Sequence, residues 1–272
     1  MAKSIKKVIA DTKKRQHFEL DLDSRGLEDL LEIPEIFQCS KLTRLTLSHN
    51  KLPSLPPNII DLSNLESLNL FDNHIEDLPS TISGLLRLKH LNLGMNRLKM
   101  LPRGFGSFPV LEVLDLTYNN LKSLPSHFFL LTQLRALYLG DNDITELSPE
   151  FAQLTNLQIL VLRDNDIEEL PPEIGKLTKL KELHLQCNQL AYFPPELAKL
   201  NFYDSARSVF RAEGNPLLPD LQEKLKIGPK HVLEYLQTAP YARTMDCFRA
   251  APDKPMVEKD KTLKKSRAHK TA

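Results

Sequence analysis

Residues 42–62 read LTRLTLSHNKLPSLPPNIIDL, and residues 157–177 read LQILVLRDNDIEELPPEIGKL. They are one frame written twice. Leu42, Leu45, Leu47, Asn50, Leu52, Leu55, Pro56, Ile59 and Leu62 return as Leu157, Leu160, Leu162, Asn165, Ile167, Leu170, Pro171, Ile174 and Leu177. The asparagine recurs every 23 residues, at Asn50, Asn73, Asn96, Asn119, Asn142, Asn165 and Asn188. Seven copies in one register are not chance, and a period of this length means a stack of like units. Leu45 and Leu47 alternate with Arg44, Thr46 and Ser48, which predicts a short strand with one face buried. Stacking pairs such strands in parallel, about 4.8 Å apart. The asparagine falls where the chain turns inward, and its amide can both donate to and accept from loop backbone of adjacent units. Leu-Pro then sends the chain across the back, where Ile59, Ile82, Phe105, Phe128, Phe151, Ile174 and Leu197 make a second apolar column. One unit departs, with Ser148 in the proline slot and Pro149 one place late, so a change confined to the back is expected there.

The frame LxxLxLxxNxL…LPxxIxxL is that of the leucine-rich repeat. The expected fold is therefore α/β: a solenoid with a curved parallel sheet on its concave face and helical caps at both ends. Residues 1–17, with Ile5, Val8 and Ile9 among lysines, read as an amphipathic N-terminal cap. Residues 18–218 hold the seven regular coils and two degenerate end coils. In the first, Leu20, Leu22 and Leu27 keep the frame but Arg25 replaces the asparagine; in the last, Asn215 follows Asn188 by 27 residues. Residues 219–239 read as a C-terminal helical cap with Val232, Leu233 and Leu236 turned inward. Residues 240–272, rich in Pro, Lys and Ala without an apolar period, read as a basic disordered tail.

Composition agrees with one packing environment used many times: 52 of the 272 residues are leucine, against 12 phenylalanines and no tryptophan. No apolar run approaches the roughly 18 residues of a membrane span. The lysine-rich start lacks an apolar segment of the secretory type. Cys39, Cys187 and Cys247 are far apart with no CxxC, and the caps carry no cysteine clusters, which argues for the reduced cytoplasm. The net charge of +1 conceals an uneven distribution. Residues 1–17 have six basic side chains against one acid, 240–272 have nine against four, and 18–239 are left at about −9. Such basic ends serve solubility, or a contact with acidic membrane, nucleic acid or a nuclear-import factor.

No motif for a nucleophile elbow, phosphate loop, dinucleotide fold or zinc protease occurs, so no enzyme, cofactor or metal is expected. His49 with His74, or His184 with Cys187, would be two-ligand pairs and too few to hold a metal. Asp141, Asp143, Asp164 and Asp166 flank the asparagine turns at an open edge and suit a solvated face or a basic partner. The informative positions are the outward ones on the strands. The central column runs Thr46, Asn69, Asn92, Asp115, Tyr138, Val161, His184; its neighbour runs Ser48, Phe71, Gly94, Thr117, Gly140, Arg163, Gln186. Met95, Tyr118 and Asp141 directly precede turn asparagines, and Arg97 follows one. Phe71, Met95, Tyr118 and Tyr138, rimmed by Arg97, Asp115, Asp141 and Arg163, have the make-up of a protein-binding hot spot. Gly94 and Gly140 are read as room for the partner. Asn69, Asn92, Val161 and His184 complete the expected contact set.

Beyond the generic frame, Leu88–Leu121 (LKHLNLGMNRLKMLPRGFGSFPVLEVLDLTYNNL), LRALYLGDN at 134–142, the KK-rich start and HVLEYLQ at 231–237 are specific. In these the chain resembles the Ras-suppressor family of leucine-rich repeat proteins, over residues 1 to about 240. The resemblance implies a non-enzymatic adaptor, monomeric on its own, that binds a LIM domain of PINCH. It would thereby join the complex of integrin-linked kinase, PINCH and parvin at cell–matrix adhesions and influence Ras signalling. Phe71 and Tyr138 would be its anchors, with Asp115 and Arg163 setting register. Two alternatives stay open: direct engagement of a Ras-type GTPase, and a regulatory subunit of a phosphatase. No nucleic-acid partner is expected.

Overall fold

A computed structural model describes residues 2–200, 202 and 208–250. Among the described residues nine three-residue strands form one parallel sheet in strict chain order: β1 (Glu19–Asp21), β2 (Arg44–Thr46), β3 (Ser67–Asn69), β4 (His90–Asn92), β5 (Val113–Asp115), β6 (Ala136–Tyr138), β7 (Ile159–Val161), β8 (Glu182–His184) and β9 (Val209–Arg211). Each middle residue, Leu20 through Phe210, points inward and is buried, as the alternation requires. From β2 to β8 the register advances by 23 residues, Leu45 pairing Leu68, Leu68 pairing Leu91 and so on. The solenoid class and the placement of the strands follow the frame.

The return path is a row of short 3₁₀ helices, such as Pro57–Asp61 and Pro172–Lys176, with Ile59 and Ile174 fully buried beneath them. In the middle coils this column is aromatic. Phe105 stacks on Phe128 at 6.2 Å between centroids, and Phe129 meets Phe151 at 5.0 Å. At the irregular coil the Ser148 hydroxyl accepts from the Glu150 amide at 3.1 Å and caps the 3₁₀ helix Pro149–Gln153. A back-side hollow of about 330 Å³ opens beside Leu147, Ser148 and Pro149. The strand pairing of β6 with β7 is undisturbed.

The asparagines tie coil to coil in one direction. Asn119 shows the pattern: its Oδ1 accepts from Leu98 N at 3.0 Å, and its Nδ2 donates to Leu93 O at 2.9 Å, both in the preceding coil. A third bond, Nδ2 to Leu116 O at 3.1 Å, closes its own turn. Asn73, Asn96, Asn142, Asn165 and Asn188 repeat it, and Asn215 does so in the degenerate last coil. The residue just before each of the seven regular turn asparagines is left-handed although none is glycine: His49, Asp72, Met95, Tyr118, Asp141, Asp164 and Cys187 have φ between 53° and 56°. Each such residue costs about 1–2 kcal/mol, which the interlocking bonds offset.

At the N-terminal end α1 (Ala2–Arg15) lays Ile5 and Ile9 on the first coil, whereas Val8 is 38% exposed on its flank. At the other end α2 (Pro219–Ile227) and α3 (Pro229–Leu236) break at Gly228, whose φ of 145° suits glycine. Val232, Leu233 and Leu236 are buried. One expectation is overturned here. The segment taken for the start of a disordered tail is a fourth helix, α4 (Ala239–Ala250). Tyr241 and Met245, four residues apart and so on one helix face, are both buried. The Tyr241 hydroxyl accepts from Phe193 N at 3.2 Å and donates to the Phe193 carbonyl, clasping the last regular coil. Residues 251–272, the rest of the expected tail, lie outside the described residues.

Candidate protein-interaction site

The outward side chains of nine strands make the concave face, and the structure sorts the expected contact residues into three kinds. The first kind is spent on the scaffold. Asn69, Asn92 and Asp115 turn their side-chain oxygens onto the amides two residues ahead: Phe71 N at 3.0 Å, Gly94 N at 2.9 Å and Thr117 N at 2.9 Å. Asp115 also accepts from the Thr117 hydroxyl at 2.7 Å. These side chains fix the chain's exit from the strand, an Asx turn, in addition to whatever they offer a partner.

The second kind forms a knot across three coils. Arg163, after β7, reaches over Gly140 in the next coil to Tyr118 in the one beyond, its Cζ 5.9 Å from the ring centroid and Nη2 a long 3.5 Å from Oη. Asp141 and Asp164 hold the same guanidinium at 3.1 and 2.7 Å. Burial works against the charge of Arg163. The Tyr118 hydroxyl and the two carboxylates outweigh it and hold the guanidinium above its usual pKa. A Cβ at position 140 would lie 3.2 Å from Arg163 Cγ. Gly140 therefore makes room for the protein's own arginine, which corrects its reading as space for a partner. Gly94 is the same case: a Cβ there would meet Phe71 Cδ2 at 3.1 Å and Thr117 Oγ1 at 3.0 Å.

The third kind stands apart. Phe71 packs edge-on to His49, centroids 5.5 Å apart, with His49 Nδ1 2.8 Å from Asp72 Oδ2. That puts Phe71 in an N-terminal group, separate from the Arg163 knot. Met95 is 39% exposed between them. Arg97 is exposed one residue past the Asn96 turn, on the loop that leaves the sheet. His184 sits 3.5 Å from Glu182 Oε2 on the same strand. Among the described residues no three His, Cys, Asp or Glu side chains come together as a metal site would need.

Sequence reasoning missed the first residue of each strand, which faces the same way as the third. In register across β5, β6 and β7 these are Val113, Ala136 and Ile159. With Tyr138 and Val161 beside them they make an apolar patch in the middle of the sheet, buried at Ala136 and half-buried at its other four members. Burial, then the charges of Glu182 and Asp115, push the Tyr138 phenol up, so it stays neutral. Ion pairs border the patch: Arg135 with Glu112 at 3.6 Å and Lys89 with Glu66 at 2.8 Å. The signal was available in the period-2 alternation, which places positions i and i+2 on one face.

Comparison with known proteins agrees with this architecture. The leucine-rich repeat region family matches residues 104–205, and the leucine rich repeat family matches 40–98 and 63–121. Together the matches span more than half of the chain. The chain is a leucine-rich repeat solenoid. Among curated proteins this leucine-rich repeat chain is similar to Ras suppressor protein 1 of Bos taurus and of Homo sapiens, 51% identical to each over 59 residues. That stretch is 22% of this chain and 21% of each relative. The chain thus matches about a fifth of the relatives' length, a shorter reach than the motifs suggested. Among solved structures, the Arabidopsis receptor kinase HAESA, in complex with the peptide hormone IDA and the co-receptor SERK1, superposes with a TM-score of 0.64. It is 28% identical, and the match covers 75% of this chain and 35% of that one. TLR13 in its complex with ssRNA13 gives 0.62 at 29% identity, covering 80% and 38%.

Proposed function

We propose that this leucine-rich repeat protein is a non-enzymatic adaptor that takes a LIM domain of PINCH on its concave face. It would thus join the integrin-linked kinase, PINCH and parvin complex at cytoplasmic cell–matrix adhesions and couple it to Ras signalling. The observation that carries the binding reading is the apolar patch of Val113, Ala136, Ile159, Tyr138 and Val161 on a preformed sheet, with the Arg163 knot at its edge. Apolar and aromatic anchors beside a pre-oriented arginine are the parts of an interface core. The local likeness to Ras suppressor protein 1 supports the choice of partner.

The test is calorimetric titration of the full chain with isolated PINCH LIM domains. Phe71→Ala and Tyr138→Ala together should weaken the complex by at least 30-fold, about 2 kcal/mol. Unchanged affinity in a folded double variant would remove these anchors from the site. The Ras in the relatives' name favours a second reading, direct GTPase binding. Pull-down with the GTPase in its GDP- and GTP-bound forms separates the two, because only a GTPase contact depends on the nucleotide.

A further inference from the structure

The N-terminal cap has a side that neither the solenoid nor the concave site uses. On α1, Ile5, Ile9 and Thr12 are buried against the first coil. At about 100° per residue, Lys6, Lys7, Lys13 and Lys14 fall together within about 120° of the outward circumference. Asp11, the one acid of residues 1–17, lies outside that arc and is paired with Arg15 at 2.8 Å. Between α1 and the return segment of the first coil runs a groove of about 570 Å³, lined by Lys6, Ile9, Ala10, Lys13, Lys14 and Glu35. Lys13 is steered along it by a 2.6 Å bond to Gln38. Three lysines thus face one carboxylate across an open, shallow trough. Close by in the chain, Phe18 is 62% exposed while its carbonyl is held by Thr43 N and Arg44 N at 2.7 and 3.0 Å.

We propose that this end of the solenoid docks on an anionic lipid surface. Charge complementarity selects the occupant. The cations are lysines, hydrated point charges suited to a diffuse field of phosphates, where arginine forks would suit one fixed carboxylate. The trough is open and shallow, and its lining has no aromatic stacking platform of the kind that single-stranded nucleic acid needs. The apolar side of α1 is spent on the first coil, so binding is peripheral, by lysines at the headgroups, and not by insertion of the helix.

Charge also sets the posture. Residues 18–239 are acidic at about −9, and an anionic surface repels them. Residues 240–272, with nine basic side chains against four acids, compete with α1 for that surface, and the lysine variants below separate the two. The sheet of nine strands is about 40 Å from end to end at 4.8 Å spacing. That is about four Debye lengths at 0.1 M salt. Standing on its N-terminal end, the protein brings α1 to the surface, keeps the acidic body away from it and leaves the concave face open to the solution.

The experiment is co-sedimentation of the full chain with vesicles of phosphatidylcholine alone and with 30% phosphatidylserine, an assay choice of about physiological charge. The expected result is binding to the anionic vesicles only, reversed by 0.5 M salt as screening shortens. The triple variant Lys6→Glu, Lys13→Glu, Lys14→Glu should lose at least 30-fold in vesicle affinity. The charge-matched control Lys176→Glu, Lys179→Glu, Lys199→Glu should keep parental binding. Circular dichroism confirms that both fold, and the single variant Lys14→Glu, exposed and unbonded, gives a milder loss if the triple unfolds. No binding of the parent, equal losses in both triple variants, or equal competition by soluble polyglutamate would each overturn the proposal.

Discussion

Replacing Asn119 with leucine tests the interlocking of coils at a single point. The side chain is buried and bonds four backbone groups: it accepts from Leu98 N at 3.0 Å and donates to Leu93 O at 2.9 Å, Leu116 O at 3.1 Å and Thr117 O at 3.2 Å. Leucine is close in volume and opens no cavity, but it leaves the Leu98 amide buried without a partner, while Leu93 O and Leu116 O keep their bonds from Asn96 Nδ2 at 3.0 Å and Asn142 Nδ2 at 2.9 Å. A stranded buried amide costs about 1–3 kcal/mol, so the variant should lose about 1–3 kcal/mol. At a urea slope of about 3 kcal/mol/M the midpoint falls by about 0.3–1 M. Urea unfolding followed by far-ultraviolet circular dichroism reads this directly. Hydrogen exchange should show the Leu98 amide losing protection first. Asn120→Leu, at an exposed neighbour, is the control and should move the midpoint little. A loss below about 1 kcal/mol for Asn119→Leu would mean that water or rearranged loops replace the amide, and the account of coil cohesion given above would be refuted.

Four further outcomes follow from named contacts. Gly106→Ala should cost about 3 kcal/mol, because its Cβ would stand 1.7 Å from the His127 carbonyl oxygen. Gly140→Ala meets a flexible arginine at 3.2 Å and should cost under about 1 kcal/mol; urea midpoints compare them. Tyr241→Phe leaves the Phe193 amide and carbonyl unpaired and should lose about 2 kcal/mol, with faster exchange at the Phe193 amide. Met95→Val puts a β-branched residue at φ 53° and should lower the melting temperature by the equivalent of about 1–2 kcal/mol, whereas Met95→Gly should not lower it by as much. The Tyr235 phenol is pushed up to about 12 by burial and by Asp220, which accepts its hydrogen bond at 2.7 Å. Because that folded value lies above the unfolded one, its stabilisation is intact below about pH 10 and is lost as pH climbs towards 12. Asp220→Asn should flatten that decline in a stability-versus-pH series.

The fold was legible because its determinants are periodic. Leu45 and Asn50 recur in seven coils and Pro56 in six of them, so the same local physics acts again and again and drowns the exceptions. What escaped was aperiodic. The helix α4 rests on two apolar residues, Tyr241 and Met245, too few to make a pattern, and on a phenol reaching 48 positions back along the chain. The concave face was half legible. Alternation identified Tyr138 and Val161 as outward, yet the same rule applied one step earlier in each strand gives Val113, Ala136 and Ile159. The uses of Gly94 and Gly140 depend on how far Phe71 and Arg163 lean across neighbouring coils, and side-chain lean is not written in column order.

The one-way asparagine ladder has a consequence for how the protein comes into being. Chains are made from the N-terminus, and each turn asparagine serves the coil made before it: Asn73 caps Leu52 and Leu47, and Asn96 caps Ile75 and Leu70. A coil leaving the ribosome is therefore unfinished until the next one emerges to close it. The nascent solenoid carries a single raw edge at its growing end, however long it has become. The last regular edge is closed when Asn215 takes the amide of Leu190 and the carbonyl of Leu185. Translation that halts between coils would leave that edge open, and quality control would meet one exposed coil in an otherwise completed stack.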